Sequence, residues 1–317
     1  MSELRIESIP FESAFERQPV AGYLFYSPEV TPCAILQISH GMAEYILRYR
    51  EFAEYLVQHG FVVCGNDHLG HGRTSGSERP DGYFGPKQGR FAVLEDLHTM
   101  NTLVRKRYPQ LPVVLFGHSM GSFFARWFVE RWPDAADAAV FCGTAGENPA
   151  SGAAILLTSV IAAVKGPMHR SPLCYKLAFG AYNNRIPDAQ SGNAWLSMEP
   201  ENVARYDADP KCGFMFTVSA FHEMLCVMTE VNKKEWAGKV RKTLPVLVIA
   251  GDADPVGDYG KGPAQVAERL RTAGVQAVSL KLYEGLRHEI LNEACREQVY
   301  ADVLAWCQTA LAGVKKD

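Results

Sequence analysis

The pentapeptide Gly117-His118-Ser119-Met120-Gly121 has the residue types and spacing of a catalytic serine motif. It matches G-x-S-x-G, a pattern that places a serine on a sharp turn between a strand and a helix. The residues before it, PVVLF at 112–116, predict a short apolar strand, and the aromatic spacing at 123–128 predicts a helix after it. We interpret Ser119 as a nucleophile raised above the edge of a sheet. The alternative is a glycine-rich turn whose serine only caps the helix.

A serine nucleophile needs a general base, and chain order selects His288. After an elbow of this kind the acid and then the histidine follow the serine along the chain. Of the nine histidines, only His288 lies beyond the apolar segment 244–250, in a loop before the last predicted helix. A histidine there can reach back over the carboxyl ends of the strands. We expect His118, inside the elbow, to pack or to form hydrogen bonds locally.

The acid of the triad should follow the segment 244–250. Asp252 and Asp254 stand directly after it, and Asp258 is a more distant candidate. A triad carboxylate fixes the tautomer of the histidine and stabilises the imidazolium that forms. We favour Asp254, and we expect Asp252 to accept hydrogen bonds from backbone N–H groups of its own loop.

An oxyanion hole would complete such a site. One N–H should come from Met120, which follows the serine, and the other from the loop after an early strand. The residues HGM at 40–42 lie in such a loop, so the N–H of Met42 is the second candidate. His40 is a candidate substrate contact, although we prefer a neutral ring hydrogen-bonded beneath the loop to a catalytic role. The same applies to the histidines of the 66–72 loop.

The elements around these residues alternate between strand and helix. Strands are predicted at 21–26, 33–38, 61–65, 112–116, 138–142, 244–250 and 275–283. Helices are predicted at 45–57, 91–108, 120–132, 263–273 and 294–311. This alternation indicates an α/β fold with a mostly parallel sheet and helices on both faces.

The alternation stops after about residue 146 and resumes after about residue 237. We therefore expect an α/β core of residues 1–146 and 237–317, interrupted by a largely helical cap at 147–236. The apolar run 153–164 falls in this cap. It is either a helix buried in the cap, or a lip that lines an acyl tunnel or dips into lipid. In the second case Leu156 and Ile161 are candidate substrate contacts.

Composition limits the possible functions. The 317 residues carry a formal net charge of −3, which gives no electrostatic reason to expect nucleic-acid binding. The eight cysteines are scattered without a C-x-x-C pair, so we expect reduced thiols and no metal site. We find no signal peptide, and no apolar run is long enough to span a bilayer. These features predict a cytoplasmic protein.

Taken together, the motifs resemble those of the α/β-hydrolase superfamily, and within it the monoacylglycerol lipase and lysophospholipase-like branch. The similar stretches are HGMAE at 40–44, NDHLGHG at 66–72, GHSMG at 117–121, VARYDADP at 203–210, GDAD at 251–254 and YEGLRH at 283–288. The resemblance extends over nearly the whole chain, although the first half of the cap matches no part of it. It places the acid on Asp254.

The resemblance implies a serine hydrolase that acts through an acyl-enzyme, with no metal or organic cofactor. Its expected substrates are single-chain lipid esters such as monoacylglycerols or lysophospholipids. Its cap is expected to make transient contact with a membrane surface, so that a cytoplasmic protein would be peripherally associated. Two alternatives stay open: an aminopeptidase related to the prolyl iminopeptidases, and a hydrolase-like protein that only binds a ligand. The aminopeptidase needs acids in the cap for a free α-amine, and four are available, Glu199, Glu201, Glu223 and Glu230.

Overall fold

The computed structural model describes residues 3–14, 16–76, 79–85, 88–312 and 314, and these residues form an eight-stranded sheet and a two-stranded ribbon. The strands are β1 Arg5–Ser8, β2 Phe11–Glu12, β3 Pro19–Val20, β4 Gly22–Tyr26, β5 Ala34–Ser39, β6 Phe61–Asn66, β7 Val113–His118, β8 Ala138–Cys142, β9 Val246–Gly251 and β10 Val278–Tyr283. The spatial order in the large sheet is β1-β4-β6-β5-β7-β8-β9-β10, and β2 pairs with β3.

The large sheet is mostly parallel. Among the described strands of this sheet, only β4 points in the opposite direction, since it pairs in antiparallel register with both β1 and β6. Strands β5 to β9 are buried along their whole length. This burial explains their continuous apolar sequences, because helices cover both faces of a parallel sheet. The predicted α/β architecture is confirmed.

The helices are α1 Arg50–Gln58, α2 Gly89–Arg107, α3 Met120–Arg131, α4 Ser151–Lys165, α5 Pro172–Phe179, α6 Pro200–Ala208, α7 Val218–Val231, α8 Trp236–Lys239, α9 Lys261–Thr272 and α10 Arg296–Leu311. Helices α1 and α10 cover one face of the sheet, around Phe52, Phe116 and Tyr300. Helices α2, α3 and α9 cover the other face, where α3 buries Phe124 and Phe128. The buried strands β5 to β9 therefore lie between two apolar layers.

The segment between β8 and β9 is described throughout and contains helices α4 to α8 but no strand. Helix α7 packs against both α3 and α4, so it joins this segment to the rest of the molecule. Helices α5 and α6 were not predicted, because they are short and the chain around them is irregular. The strands β1 to β3 were also not predicted, since they are short and largely exposed.

Helix α4 spans the apolar run 153–164 but is not buried. Its buried residues are Ser151 and Thr158, whereas Leu156, Val160 and Val164 are exposed. The interpretation of this run as a helix buried in the cap is therefore wrong. Within the described ranges, no helix is long and apolar enough to cross a membrane.

Candidate active site

Ser119 is the single residue between β7 and α3, and its backbone is strained. Its φ of 53° and ψ of −121° lie in a region that costs a non-glycine residue about 1–3 kcal/mol. The turn is held by the Ser119 N–H, which donates to Cys142 O at 2.9 Å, and by Ser122 Oγ, which donates to Ser119 O at 2.6 Å. Residue 121 must be glycine because a Cβ there would collide with the carbonyl oxygen of Ser39. The predicted strand–elbow–helix is thus present around Ser119.

His288 and Asp254 form a buried hydrogen-bonded pair. Asp254 Oδ2 lies 2.8 Å from His288 Nδ1, and Asp254 Oδ1 accepts the N–H of Val256 at 2.8 Å. Because the carboxylate accepts both bonds, the proton of a neutral His288 sits on Nδ1 and Nε2 keeps its lone pair. Asp252 instead accepts the N–H of Gly285 at 2.7 Å, so it ties β9 to the loop that carries His288 rather than capping its own loop.

The two candidate oxyanion donors lie at the same cavity. Met42 and Met120 both line it, and neither backbone N–H donates to an acceptor on a described residue. By contrast, the neighbouring N–H of Ala43 donates to His71 Nε2 at 3.1 Å. Ala43 has a φ of 53°, so this hydrogen bond holds a strained turn beside Met42. The arrangement leaves two N–H groups available for a developing negative charge.

His40 lies beneath this loop rather than in the cavity. Its Nε2 accepts the N–H of His68 at 2.9 Å, and its Nδ1 donates to Gly41 O at 2.8 Å. The ring is fully buried, and this burial lowers its pKa. Since both ring nitrogens are engaged, His40 has no atom left for a substrate. The structure corrects the expectation of a substrate contact and agrees with a neutral ring that supports the loop.

A cavity of about 680 Å³ is lined by both Ser119 and His288. Most of its wall is apolar or aromatic, and much of that wall comes from the segment between β8 and β9. The apolar and aromatic lining residues include Phe123, Tyr175, Leu177, Phe179, Trp195, Phe214, Met224 and Met228. A ligand pocket of this kind suits a molecule with a long apolar portion.

Leu156 and Ile161 are not among the described residues that line this cavity. Leu156 is 66% exposed, and Ile161 packs against the apolar core under α4. The expectation that these two residues contact the substrate is therefore corrected. The helical period turns Leu156 away from the protein, and sequence alone did not show which face of α4 points inward.

Residues of the helical segment hold the loop that carries His288. The N–H of Glu289 donates to Leu196 O at 2.7 Å, and the guanidinium of Arg287 donates to Ala194 O at 2.8 Å. The ring of Trp195 lies 5.2 Å from the ring of His288, measured between centroids. The segment therefore positions the histidine as well as lining the cavity.

A buried ionic network behind the site was not predicted. Glu44 accepts the N–H of Gly41 at 2.5 Å and the hydroxyl of Tyr49 at 2.7 Å. Arg48 bridges two carboxylates, since it donates to Glu44 at 2.8 Å and to Glu289 at 2.7 and 2.9 Å. Burial raises the pKa of Glu289, but the charge and hydrogen bonds of Arg48 and the hydrogen bond from Asn202 together hold it below its usual value. The network thus links the loop of Met42 to the loop of His288.

His118 joins the same network. Its Nδ1 lies 3.3 Å from Glu44 Oε1, and its Nε2 lies 3.3 Å from the backbone oxygen of His288. Burial raises the pKa of Glu44, but the bond from His118 and the charge of Arg48 hold it below its usual value. The sequence analysis noted Glu44 only as part of HGMAE, and it could not connect Glu44 with His118 and Glu289, because these lie far away along the chain.

The eight-stranded sheet, the strained serine and the buried His–Asp pair beside one cavity define an α/β-hydrolase, and the protein is a serine hydrolase. The chain belongs to the family described as serine aminopeptidase, S33, whose model matches residues 30–295. The predicted superfamily is confirmed. The described residues contain no cluster of three or more His, Cys, Asp or Glu side chains suited to a metal ion.

Proteins similar to this chain include lipases and an esterase. A monoacylglycerol lipase of Mycolicibacterium smegmatis is 30% identical over 90% of this chain and 91% of its own length. A human monoglyceride lipase is 28% identical over 97% of this chain and 95% of its own length. A solved carboxyl esterase from Bacillus coagulans, in complex with glycerol, has a TM-score of 0.89 and 30% identity over 96% of this chain and 99% of its own.

Proposed function

We propose that the protein hydrolyses carboxylic esters of single-chain lipids such as monoacylglycerols or lysophospholipids. The observation that carries this proposal is the mostly apolar cavity of about 680 Å³ with Ser119 and His288 in its wall. Similarity to monoacylglycerol lipases over most of the chain supports the same substrate class. The apolar wall binds the acyl chain, and each buried CH₂ contributes about 0.8 kcal/mol.

We propose the following reaction for these residues. Ser119 Oγ attacks the ester carbonyl while His288 Nε2 takes its proton, and Asp254 holds the ring and stabilises the imidazolium. The N–H groups of Met42 and Met120 bind the oxyanion. His288 then protonates the leaving alcohol, and water releases the fatty acid from the acyl-enzyme in the reverse sequence of proton transfers.

An aminopeptidase would need a free carboxylate in the cavity for an α-amine. The described carboxylates in its wall are each paired with a cation: Glu44 and Glu289 with Arg48, Glu147 with Arg269, and Asp258 with Lys261. In the cap, Glu223 pairs with Arg90 at 2.6 Å. These pairs favour an ester over a peptide with a free amine.

Residues 147–236 act as a cap over the serine, and part of the cap faces lipid. Leu156, Val160 and Val164 follow one another at intervals of four, which puts them on one face of α4. We call the exposed apolar side chains of α4, α5 and the connection between them the apolar rim: Leu156, Val160, Val164, Met168, Leu173 and Leu177. Leu177 is 67% exposed and also lines the cavity, so the rim reaches the cavity mouth. Such a surface brings an enzyme to a lipid interface without a membrane span.

The test is a substrate panel. Purified protein is assayed on glycerol monoesters and lysophospholipids of increasing acyl length, beside an aminoacyl anilide. The proposal expects kcat/KM to rise with acyl length up to a limit, with no comparable anilidase activity. Faster cleavage of the anilide, or a preference for acetate esters, would contradict it. Absence of turnover, with Ser119 unreactive to a fluorophosphonate, would indicate a protein that only binds.

A further inference from the structure

We propose that His118 is a buried imidazolium cation that fixes the loop of His288 to the loop of Met42, and is thereby a positioning residue for the reaction. The inference rests on the proposed roles of Ser119 and His288. It concerns a residue inside the elbow motif that the hydrolytic steps do not use. It also assigns that residue a charge.

Both ring nitrogens of His118 face hydrogen-bond acceptors. His118 Nδ1 faces Glu44 Oε1, and its Nε2 faces the carbonyl oxygen of His288, both at 3.3 Å. A backbone carbonyl can only accept a hydrogen bond. Glu44 is also an acceptor, because its Oε1 receives the N–H of Gly41 and the hydroxyl of Tyr49. Two acceptors require two N–H donors, and only the imidazolium has both.

Neither neutral tautomer satisfies this geometry. With the proton on Nδ1, the lone pair of Nε2 faces the carbonyl oxygen of His288. With the proton on Nε2, the lone pair of Nδ1 faces the Glu44 carboxylate. The ring is buried, so water cannot relieve either contact, and an unmade hydrogen bond in such a site costs about 1–3 kcal/mol.

The charges of the buried network balance when His118 is protonated. The buried network contains the carboxylates of Glu44 and Glu289, and the guanidinium of Arg48 bridges both. A neutral His118 would leave this network with one uncompensated negative charge, which is costly away from water. A protonated His118 makes it neutral. Consistently, the bond and charge of Glu44 outweigh burial and raise the pKa of His118 above its ordinary value.

The cation can hold three parts of the site together. His118 is the last residue of β7 and directly precedes Ser119. Its two N–H groups reach Glu44, which binds the N–H of Gly41, and the carbonyl of His288. The loss of one proton would break one of these links. Displacement of a catalytic group by about 1 Å can cost on the order of 100-fold in rate.

The sign of the pH dependence follows from the raised pKa. His118 is charged below its folded pKa, so the positioning effect is present at low and neutral pH and is lost as pH rises. The titratable and charged groups around the ring come from three parts of the chain. Glu44, with Arg48 bound to it, Tyr49 and His40 lie on the first loop and the turn of helix that follows it. Cys142 is the register partner of His118 on β8, and His288 and Glu289 lie on the last loop. The alkaline limb of activity should therefore reflect deprotonation of His118.

The charge can be measured without turnover. The whole protein is labelled with ¹⁵N-histidine, and the ring resonances of His118 are assigned as those lost in His118→Gln. We expect both ring nitrogens to be protonated at neutral pH and one to lose its proton only above the usual histidine range. A non-protonated nitrogen on His118 at neutral pH overturns the proposal. Since this readout requires no hydrolysis, it is independent of the proposed substrate.

Activity then tests the positioning effect. On a water-soluble short ester, His118→Gln should lower kcat by about 10- to 100-fold with little change in KM, and the alkaline limb should disappear. Glu44→Gln should move the alkaline limb to lower pH, because it removes the charge that holds the proton. His59→Gln, at the exposed position directly after α1, is the matched control and should leave the profile unchanged. An unchanged alkaline limb in His118→Gln, or one that stays in place in Glu44→Gln, overturns the proposal. If His118→Gln fails to fold, the wild-type ring resonances of His118 are assigned by exclusion, from substitutions of the other eight histidines, and they decide.

Discussion

Asp254 Oδ2 lies 2.8 Å from His288 Nδ1, and both side chains are buried although 34 positions separate them in sequence. Two residues before Asp254, the carboxylate of Asp252 bonds to the N–H of Gly285. The two neighbouring acids therefore contact the same loop in different ways. One can orient a catalytic ring, and the other holds the backbone.

This difference predicts opposite outcomes for two similar substitutions. Asp254→Asn should present the wrong tautomer of His288 and lower kcat by about 10⁴-fold with the fold intact. Asp252→Asn keeps an oxygen that can accept from Gly285, so it should cost less than about 1 kcal/mol in stability and little in rate. Steady-state kinetics and thermal melts of both variants measure this. The reverse pattern would move the acid to Asp252.

Ser119→Ala should lose labelling by a fluorophosphonate probe and about 10⁴-fold or more of kcat, because the elbow presents this hydroxyl to the cavity. The matched control is Ser122→Ala, three residues further on. Its hydroxyl already donates to Ser119 O, so this variant should still be labelled. Mass spectrometry of the labelled peptide identifies the site. A label on Ser122 would show that the nucleophile is misassigned.

Narrowing the cavity should shorten the preferred acyl chain. Met228 lines the cavity from α7, so Met228→Trp should lower kcat/KM for long-chain esters while short esters react as before. Each CH₂ that no longer fits removes about 0.8 kcal/mol, or roughly fourfold in kcat/KM. Met198→Trp is the control, since Met198 is exposed and is not one of the described lining residues. An unaltered chain-length profile in Met228→Trp would place the acyl chain elsewhere.

Charges on the apolar rim should weaken contact with lipid without changing the chemistry. Leu156→Asp and Val160→Asp remove exposed apolar area, so they should reduce co-sedimentation with phospholipid vesicles and turnover of vesicle-bound ester. Hydrolysis of a soluble short ester and the melting temperature should stay near the wild-type values. Leu103→Asp, on α2, is the matched control at another exposed leucine. Equal vesicle binding by all three variants and the wild type would exclude the rim as the contact surface.

Local patterns accounted for much of the fold. The apolar runs at 61–65 and 138–142 predicted β6 and β8, because buried parallel strands are continuously apolar. The aromatic residues after Ser119 are spaced three and four apart, and this spacing predicted α3 because a helix repeats every 3.6 residues. The elbow pattern and the order of residues along the chain then identified Ser119 and His288.

Only the tertiary structure decided which side of α4 faces the protein, and so removed Leu156 and Ile161 from the cavity. An apolar run without a polar face carries no information about its orientation, and packing against α7 supplies it. For His118, the sequence by itself determined only that this residue stands inside the elbow motif. Its partners Glu44 and His288 come from loops 74 and 170 positions away. Hydrogen bonds over such separations depend on how the sheet brings its loops to one edge, and no local spacing encodes that.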